Sequence, residues 1–490
     1  MIERIQVKEG IQLKDYELYT SLILPIKEMM AEAAEVAPRL KNKKVWMINS
    51  TARGGGVAEM MPRMVSILNQ LSVSTEWLVA GTDNKDFFAL TKKIHNLIHG
   101  EGQPYISEEE KLLYEKVNRD NAEELFHLIE EGDIVVIHDP QPMGIAIYLR
   151  KKNLGLKLIW RCHIGLDQHT KETACAWKFL NPYADCFDFA IFSAAEYIPG
   201  YLTGRSVVIH PSIDPLDHKN RDLTFYKVVG ILSNSGILAE THPVLMPPFT
   251  EQAKRLQRDG SFQSPLLPSD PKLLFRPLVT QISRFDSLKG FLFLMKGFVE
   301  LKNNKEKYGF NNARHERRLD LAGLLLAGPD PDFVADDPKG KKVLQELADY
   351  FLSLPPEIQK DIIILKLPMS NRKNNEVIVN ALQRILSLVA QNSLREGFGL
   401  TVTEAMWKTV PVAGTVACGI RQQIRNDIEG ITIEHPEDPL SIASVLNEAL
   451  FNPKKREVWA YNGKKRVIDN FLIFSQIRKW LQLFDLLIRK

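Results

Sequence analysis

The chain has 490 residues, of which 63 are Lys or Arg and 60 Asp or Glu, giving a formal net charge of +3. Such a length holds two or three domains of ordinary size. With 44% hydrophobic and 25% charged residues the chain is not disordered, collagen-like or disulfide-dense, and its near-neutral balance argues against a coat for nucleic acid or an anionic membrane, which needs a concentrated basic field.

Residues 1–43 read as an N-terminal extension in which Glu3, Lys8 and Glu9 interrupt any apolar core of a signal peptide. Apolar runs such as 319–327 fall far short of the ~20 residues of a membrane span, so a cytoplasmic protein is expected. Cys162, Cys175, Cys186 and Cys418 form no C-x-x-C pair and no zinc spacing, and are expected to be reduced structural thiols. A first Rossmann-like domain is placed at 44–215. It opens with a strand at Val45–Ile48, the triple glycine Gly54, Gly55 and Gly56, and an amphipathic helix over 57–71. Further strands fall at 76–80, 134–137, 156–160, 189–193 and 206–209.

The alternation breaks near His210, and the nine prolines from there to Pro277 mark 216–277 as a linker or extension with polar helical pieces such as 252–258. A second alternating series occupies 278–465. Its strands are expected at 278–283, 319–327, 362–366, 388–390, 410–413 and 430–433, with helices at 341–351, 375–386, 441–450 and 454–469. Residues 466–490 form a terminal helix able to pack back on the first domain. The fold class is α/β, two doubly wound domains, with no internal repeat.

Ligands of open α/β sheets bind beyond the carboxyl ends of the strands, and four such places carry chemistry. Gly54, Gly55 and Gly56 sit at a strand-to-helix junction where bare N–H groups suit a phosphate or a sugar hydroxyl, although a plain tight turn has the same pattern. Asp139, after His138, and His163, after Arg161 and Cys162, stand at two neighbouring strand ends and can hydrogen-bond a sugar; the alternative is a satisfied structural histidine. Arg284 and Lys289 lie on a loop entering a helix, where a cation pair opposes the helix dipole unless an anion sits between them. Solvated surface charges are the alternative. Glu396 precedes the turn Gly397, Phe398, Gly399, with Leu400 and Thr401 opening a helix that carries Glu404. The turn offers N–H donors to phosphate, and the two carboxylates suit vicinal hydroxyls. A glycoside-hydrolase pair is disfavoured, since a hydrolase has no need of the anion-binding turn.

Glu396-x7-Glu404 with Arg284 and Lys289 resembles the donor site of retaining GT-B glycosyltransferases of family 4, and Asn49–Glu59, Ile137–Pro142, Trp160–His163, Pro211–Pro215 and Arg395–Trp407 are most similar to the trehalose synthase and trehalose phosphorylase group. The resemblance runs from about Lys44 to the C-terminus. It implies two domains facing across a cleft and transfer of a glucosyl unit from a nucleotide-diphosphate glucose to a sugar acceptor, with glucose giving trehalose. In that reading Arg284 and Lys289 neutralise the diphosphate, Glu404 holds the ribose and Glu396 the donor sugar. Gly55, Gly56 and the N–H groups from Gly397 through Phe398, Gly399 and Leu400 to Thr401 cradle the phosphates, while His163 bonds the transferred sugar and Asp139 and Arg161 bind the acceptor. No metal and no cofactor are required, and Asp330, Pro331 and Asp332 form a turn rather than a metal site. A homodimer is compatible with the pattern. Two features depart from the family: Gly165 stands where an Asp is expected, and Thr415–Ile420 keeps only Gly419 of a usual glycine pair. The alternatives are a phosphorylase that releases glucose 1-phosphate from the same pocket and a non-catalytic sugar-nucleotide sensor.

Overall fold

The computed structural model describes residues 1–7, 10–52, 56–152, 154–238, 249–263, 273–308, 312–333 and 339–489. The chain divides into two compact units, Met1–Ser212 with Asp469–Lys490, and Ile213–Ile468. No helix among the described residues is long and apolar enough to cross a membrane.

The first unit is built on β1 (Ile2–Ile5), β2 (Val45–Asn49), β3 (Thr75–Ala80), β4 (Ile134–His138), β5 (Lys157–Arg161), β6 (Phe189–Phe192) and β7 (Ser206–Val208). The sheet order is β1-β3-β2-β4-β5-β6-β7, parallel except for β1, which runs antiparallel to β3 with Ile2 opposite Ala80 and Ile5 opposite Trp77. Every residue of β2 and of β4 is buried, because helices cover both faces of a parallel sheet; that is why these strands read as unbroken apolar runs. The chain goes from β2 to β3 on one side and returns to β4 on the other, so a topological switch point lies between β2 and β4. The helices begin at side-chain caps. Asn84 Oδ1 accepts from the N–H groups of Asp86 at 2.8 Å and Phe87 at 3.2 Å, and Ser107 with Glu110 closes a capping box.

The N-terminal residues are integral to this unit. Beyond β1, the helix Ile23–Val36 packs on the C-terminal helix Ile473–Arg489, with Tyr16 edge-on to Phe474 at 5.0 Å and ion pairs from Arg39 to Asp485 and Arg478 to Glu28.

The second unit holds β8 (Lys254–Leu256), β9 (Phe262–Gln263), β10 (Leu278–Ile282), β11 (Gly323–Pro329), β12 (Ile362–Leu367), β13 (Leu388–Gln391), β14 (Val412–Thr415) and β15 (Ile431–Ile433). The order is β15-β14-β13-β10-β11-β12-β8-β9. Without the antiparallel β8 and β9 it is the dinucleotide-binding order, with its switch point between β10 and β13. The helix Phe225–Asn234 packs on the helix Arg372–Arg384 of the same unit, burying Val228 and Leu232 with Leu325 and Ile363 of the sheet.

Two elements differ from the sequence reading. Residues 252–258, read as helical, contain β8. Edge pairing of Arg255 with Leu365 and Lys254 with Lys366, and a hairpin turned at Asp259 and Gly260 (φ +83), override the helix-forming composition. The strand expected at 319–327 begins only at Gly323, opposite Leu278; Leu319 closes the helix Ala313–Leu321, which Asn312 caps by accepting from the His315 N–H at 3.0 Å.

Candidate active site

In the second unit, the loops that leave β10 and β13 meet at the switch point through side-chain amides. Gln281, fully buried at the end of β10, donates through Nε2 to the Lys289 carbonyl at 2.7 Å and accepts through Oε1 the N–H of Asn392 at 2.9 Å. Asn392 in turn donates to the carbonyls of Gly290 at 3.2 Å and Pro436 at 2.9 Å. Gly290 has φ +61, and a Cβ there would lie 2.2 Å from the Asn392 carbonyl oxygen, so only glycine permits this approach. The result is that Lys289 Nζ lies 2.5 Å from Glu396 Oε2, which also accepts from Ser393 Oγ at 3.0 Å. Arg284 stands on the same β10 loop, exposed and with no ionic or hydrogen-bonding partner among the described residues.

After Glu396 the chain turns through Gly397, Phe398 and Gly399 (φ +84) into the helix Leu400–Trp407. Gly397 faces open space, whereas a Cβ at Gly419 would fall 2.4 Å from Phe398 Cα, and the Gly419 N–H donates to the Glu396 carbonyl at 3.0 Å. The single glycine of Thr415–Ile420 thus stands where the turn leaves no room for a side chain. Glu404, 6% exposed on this helix, has its Oε1 4.0 Å from Lys219 Nζ. Lys408 Nζ donates to the Glu404 carbonyl at 3.1 Å and to Asn220 Oδ1 at 3.3 Å. Burial holds the Lys408 ammonium down to about 7, against the opposing pull of Glu404.

In the first unit the polar residues gather at the ends of β4 and β5. Asp139 adopts φ +64; its N–H donates to the Arg161 carbonyl at 2.8 Å and its Oδ1 accepts the His163 N–H at 2.8 Å. His138 Nδ1 and His163 Nε2 share a hydrogen bond of 2.9 Å, with the rings nearly parallel. Burial, reinforced by the nearby Arg161 charge, pushes both imidazoles well below their usual range and keeps them neutral. Burial also raises the Asp139 carboxyl to about 6, against the His163 N–H and Arg161, which favour its charged form. Arg161 itself is 1% exposed, so in this structure it supplies charge to the cluster from within the unit and presents no surface to a sugar. Gly165 is explained by packing: a Cβ there would lie 2.3 Å from the Tyr197 ring, which excludes the expected Asp. Gly56 begins the helix Gly56–Gln70, while Gly54 and Gly55 lie outside the described residues.

Among the described residues no group of three or more His, Cys, Asp or Glu is arranged to hold a metal ion. Asp330 and Asp332 are instead paired with lysines, Asp330 with Lys366 at 2.9 Å and Asp332 with Lys341 at 2.7 Å. Chemically, the second unit presents a lysine against a carboxylate beside a glycine-rich turn and a helix start, a place for an anion next to a polyol. The first unit presents a neutral histidine pair and a carboxylate at strand ends. Sequence reasoning missed Gln281, Asn392, Gln423 and Lys408. The single available signal was a long polar side chain directly at the end of an apolar strand, as at Gln281.

The chain matches a family model described as trehalose synthase, N-terminal domain, over residues 47–199, and one described as glycosyl transferases group 1 over residues 271–466. It is 31% identical over 482 residues to a trehalose synthase of Thermococcus litoralis, covering 97% of both chains. To one of Rubrobacter xylanophilus it is 31% identical over 470 residues, covering 95% of both. Against a trehalose phosphorylase of Pleurotus sajor-caju the identity is 25% over 414 residues, 80% of this chain and 51% of that one. Among solved structures it is similar to an E. coli trehalose-6-phosphate protein bound with UDP-2-fluoro glucose, with TM-score 0.62, 14% identity and coverage of 90% and 99% of the two chains. An α,α-trehalose-phosphate synthase of Burkholderia xenovorans in complex with glucose-6-phosphate gives TM-score 0.57, 14% identity and coverage of 93% and 95%. These structural likenesses identify the fold: the two Rossmann-like α/β units are those of GT-B.

Proposed function

The chain belongs to the trehalose synthase family of glycosyltransferases, and we infer that it is a retaining family 4 enzyme that moves a glucosyl unit from a nucleoside-diphosphate glucose to a sugar acceptor, glucose giving trehalose. The observation that carries this reading is the Lys289–Glu396 pair at 2.5 Å beside the Gly397–Gly399 turn. A diphosphate bound there would take Lys289 and Arg284 as counter-charges and the turn's N–H groups as donors, and Glu396 would be left to accept from the donor sugar's hydroxyls.

The roles follow from that arrangement. Breaking the anomeric C–O bond leaves negative charge on the departing phosphate, and cations and amides fixed beforehand stabilise it without reorganising; this is the main catalytic contribution. Glu404, nearly buried on the helix that the turn opens, accepts from the ribose hydroxyls. In the first unit His163 bonds the transferred sugar and Asp139 orients the acceptor hydroxyl. Attack from the face of the leaving group retains the anomeric configuration, and the phosphate oxygen that departs is the base for the incoming hydroxyl proton.

The test is to incubate the protein with glucose and UDP-, ADP- or GDP-glucose, and separately with trehalose and phosphate. Glucose-dependent release of a nucleoside diphosphate with formation of trehalose is the expected result. Glucose 1-phosphate from trehalose would replace the transferase reading with a phosphorylase, and no product in either arm would leave a sugar-nucleotide sensor.

A further inference from the structure

We propose that Gln423 is a positioning residue for the phosphate cradle: its side-chain amide grips the back of the glycine-rich turn and thereby aims the turn's N–H groups at the diphosphate. The proposal rests on the donor-site reading above.

Gln423 is fully buried. Its Nε2 reaches three carbonyl oxygens, those of Phe398 at 2.5 Å, Gly399 at 3.2 Å and Gly419 at 3.2 Å, and its Oε1 accepts from Thr403 Oγ1 at 2.6 Å. The amide orientation is set by this network, since an oxygen facing three carbonyls would have no donor. The backbone consequence is fixed by covalent geometry. A trans peptide is planar, with its C=O and N–H on opposite sides, and no cis peptide occurs among the described residues. Holding the Phe398 oxygen toward Gln423 therefore turns the Gly399 N–H away from it, and holding the Gly399 oxygen does the same for the Leu400 N–H. Those two N–H groups have no acceptor among the described residues, and they start the helix Leu400–Trp407, where the macrodipole favours an anion. Glycine makes this turn possible, but its flexibility also gives it other conformations. Gln423, which contacts both arms of the turn and the facing Cys418–Arg421 helix, selects one of them, so the cradle is formed before the donor arrives.

The experiment compares wild type with Gln423→Glu, Gln423→Ala and Thr403→Val. Binding of inorganic pyrophosphate and of UDP, ADP and GDP is measured by calorimetry, and kcat and KM for donor and glucose are measured beside thermal unfolding. Gln423→Glu keeps the shape and the Thr403 bond but turns an acceptor on three carbonyls. Gln423→Ala and Gln423→Glu are expected to weaken pyrophosphate and raise the donor KM roughly 10- to 100-fold, the scale on which small misplacements of binding groups act. The glucose KM is expected to stay within about twofold, because no acceptor group in the first unit depends on this contact. Thr403→Val, which leaves Gln423 in place without its anchor, should give a smaller loss in the same direction and covers the case in which the Gln423 variants do not fold. Unchanged pyrophosphate affinity in a folded variant, or donor and acceptor KM rising together, overturns the proposal. Failure of the wild type to release any nucleoside diphosphate, with pyrophosphate bound and lost as described, would instead overturn the transferase reading and leave the role of Gln423 standing.

Discussion

Lys289 Nζ and Glu396 Oε2 lie 2.5 Å apart although 107 residues separate them in the chain. The contact exists because Gln281 and Asn392 tie the two loops together at the point where the strand order reverses, and it leaves each charge only slightly exposed. A lysine held in this way is preorganised, and it is worth more to a developing phosphate charge than a flexible one.

Lys289→Ala should therefore lower kcat by at least ~10²-fold, the scale of losing one fixed stabiliser of transition-state charge. It should also lower the melting temperature, because Glu396 is left partly buried without its cation. The double variant Lys289→Ala/Glu396→Gln separates the two effects: it should regain the melting temperature and none of the activity. Wild-type turnover in Lys289→Ala would remove this residue from the mechanism.

A methyl group at 419 tests the turn itself. In Gly419→Ala the Cβ would meet Phe398 Cα at 2.4 Å, a backbone neighbour that cannot move aside cheaply, so the Glu396–Gly399 turn must shift. Expected are a donor KM raised by roughly tenfold or more, as for other small misplacements of binding groups, and a glucose KM close to that of wild type. Steady-state kinetics with each substrate varied in turn checks both values, and an unchanged donor KM would show that the turn does not bind the donor.

What the sequence could and could not reveal follows from the range of the interactions. The core strands were legible because burial on both faces writes a nearly unbroken apolar run at β2, β4 and β11. The places after them were legible because bare glycines and charges directly follow such runs. β1 was not: Ile2–Ile5 is a strand only because β3 offers an edge to it, with a partner some eighty positions away in the register pairing of Ile2 with Ala80. The Asp259-Gly260 pair was a local hairpin signal inside a segment whose composition favours a helix. Gln423 carries no signal of its own in the sequence; its role depends on the three carbonyls that the fold places around it. Gly165 looks like a lost acceptor contact until Tyr197 is seen to occupy the space.

Asp139 gives the first unit a pH dependence. Burial raises its carboxyl from 3.8 to about 6, so between these values the folded protein keeps a proton that the unfolded chain has lost. Stability from this group is therefore highest at low pH and falls as pH rises through the window. Asp139→Asn, which tolerates φ +64 and can still accept from the His163 N–H, should be more stable than wild type above pH 6, with the advantage gone near pH 4. Wild-type kcat/KM should show an acidic limb with a midpoint about 6 that Asp139→Asn lacks, since His138 and His163 stay neutral there. Melting curves and rate profiles from pH 4 to 8 decide the matter; an identical acidic limb in Asp139→Asn would assign it to another group.

Lys408 should act on stability with the opposite slope. It is a base whose folded value, about 7, lies below its ordinary 10.5, so between those values the unfolded chain binds a proton that the folded protein does not, and stability rises with pH by up to ~1.4 kcal/mol per unit from this one group. The origin is burial of the amine at the C-terminal end of the helix that carries Glu404, with hydrogen bonds to the Glu404 carbonyl and Asn220 and no carboxylate in ion-pair range among the described residues. Lys408→Met fills similar space without a charge. It should raise the free energy of unfolding at pH 6 to 7 and abolish the rise between pH 7 and 9 seen in wild type, as measured by urea denaturation at each pH. The lost bonds to Asn220 and Glu404 oppose this gain by an amount that does not vary with pH, so the slope, and not the absolute stability, is the diagnostic quantity. Parallel slopes for the two proteins would mean that Lys408 keeps its proton in the folded state and that its ammonium is balanced by Glu404.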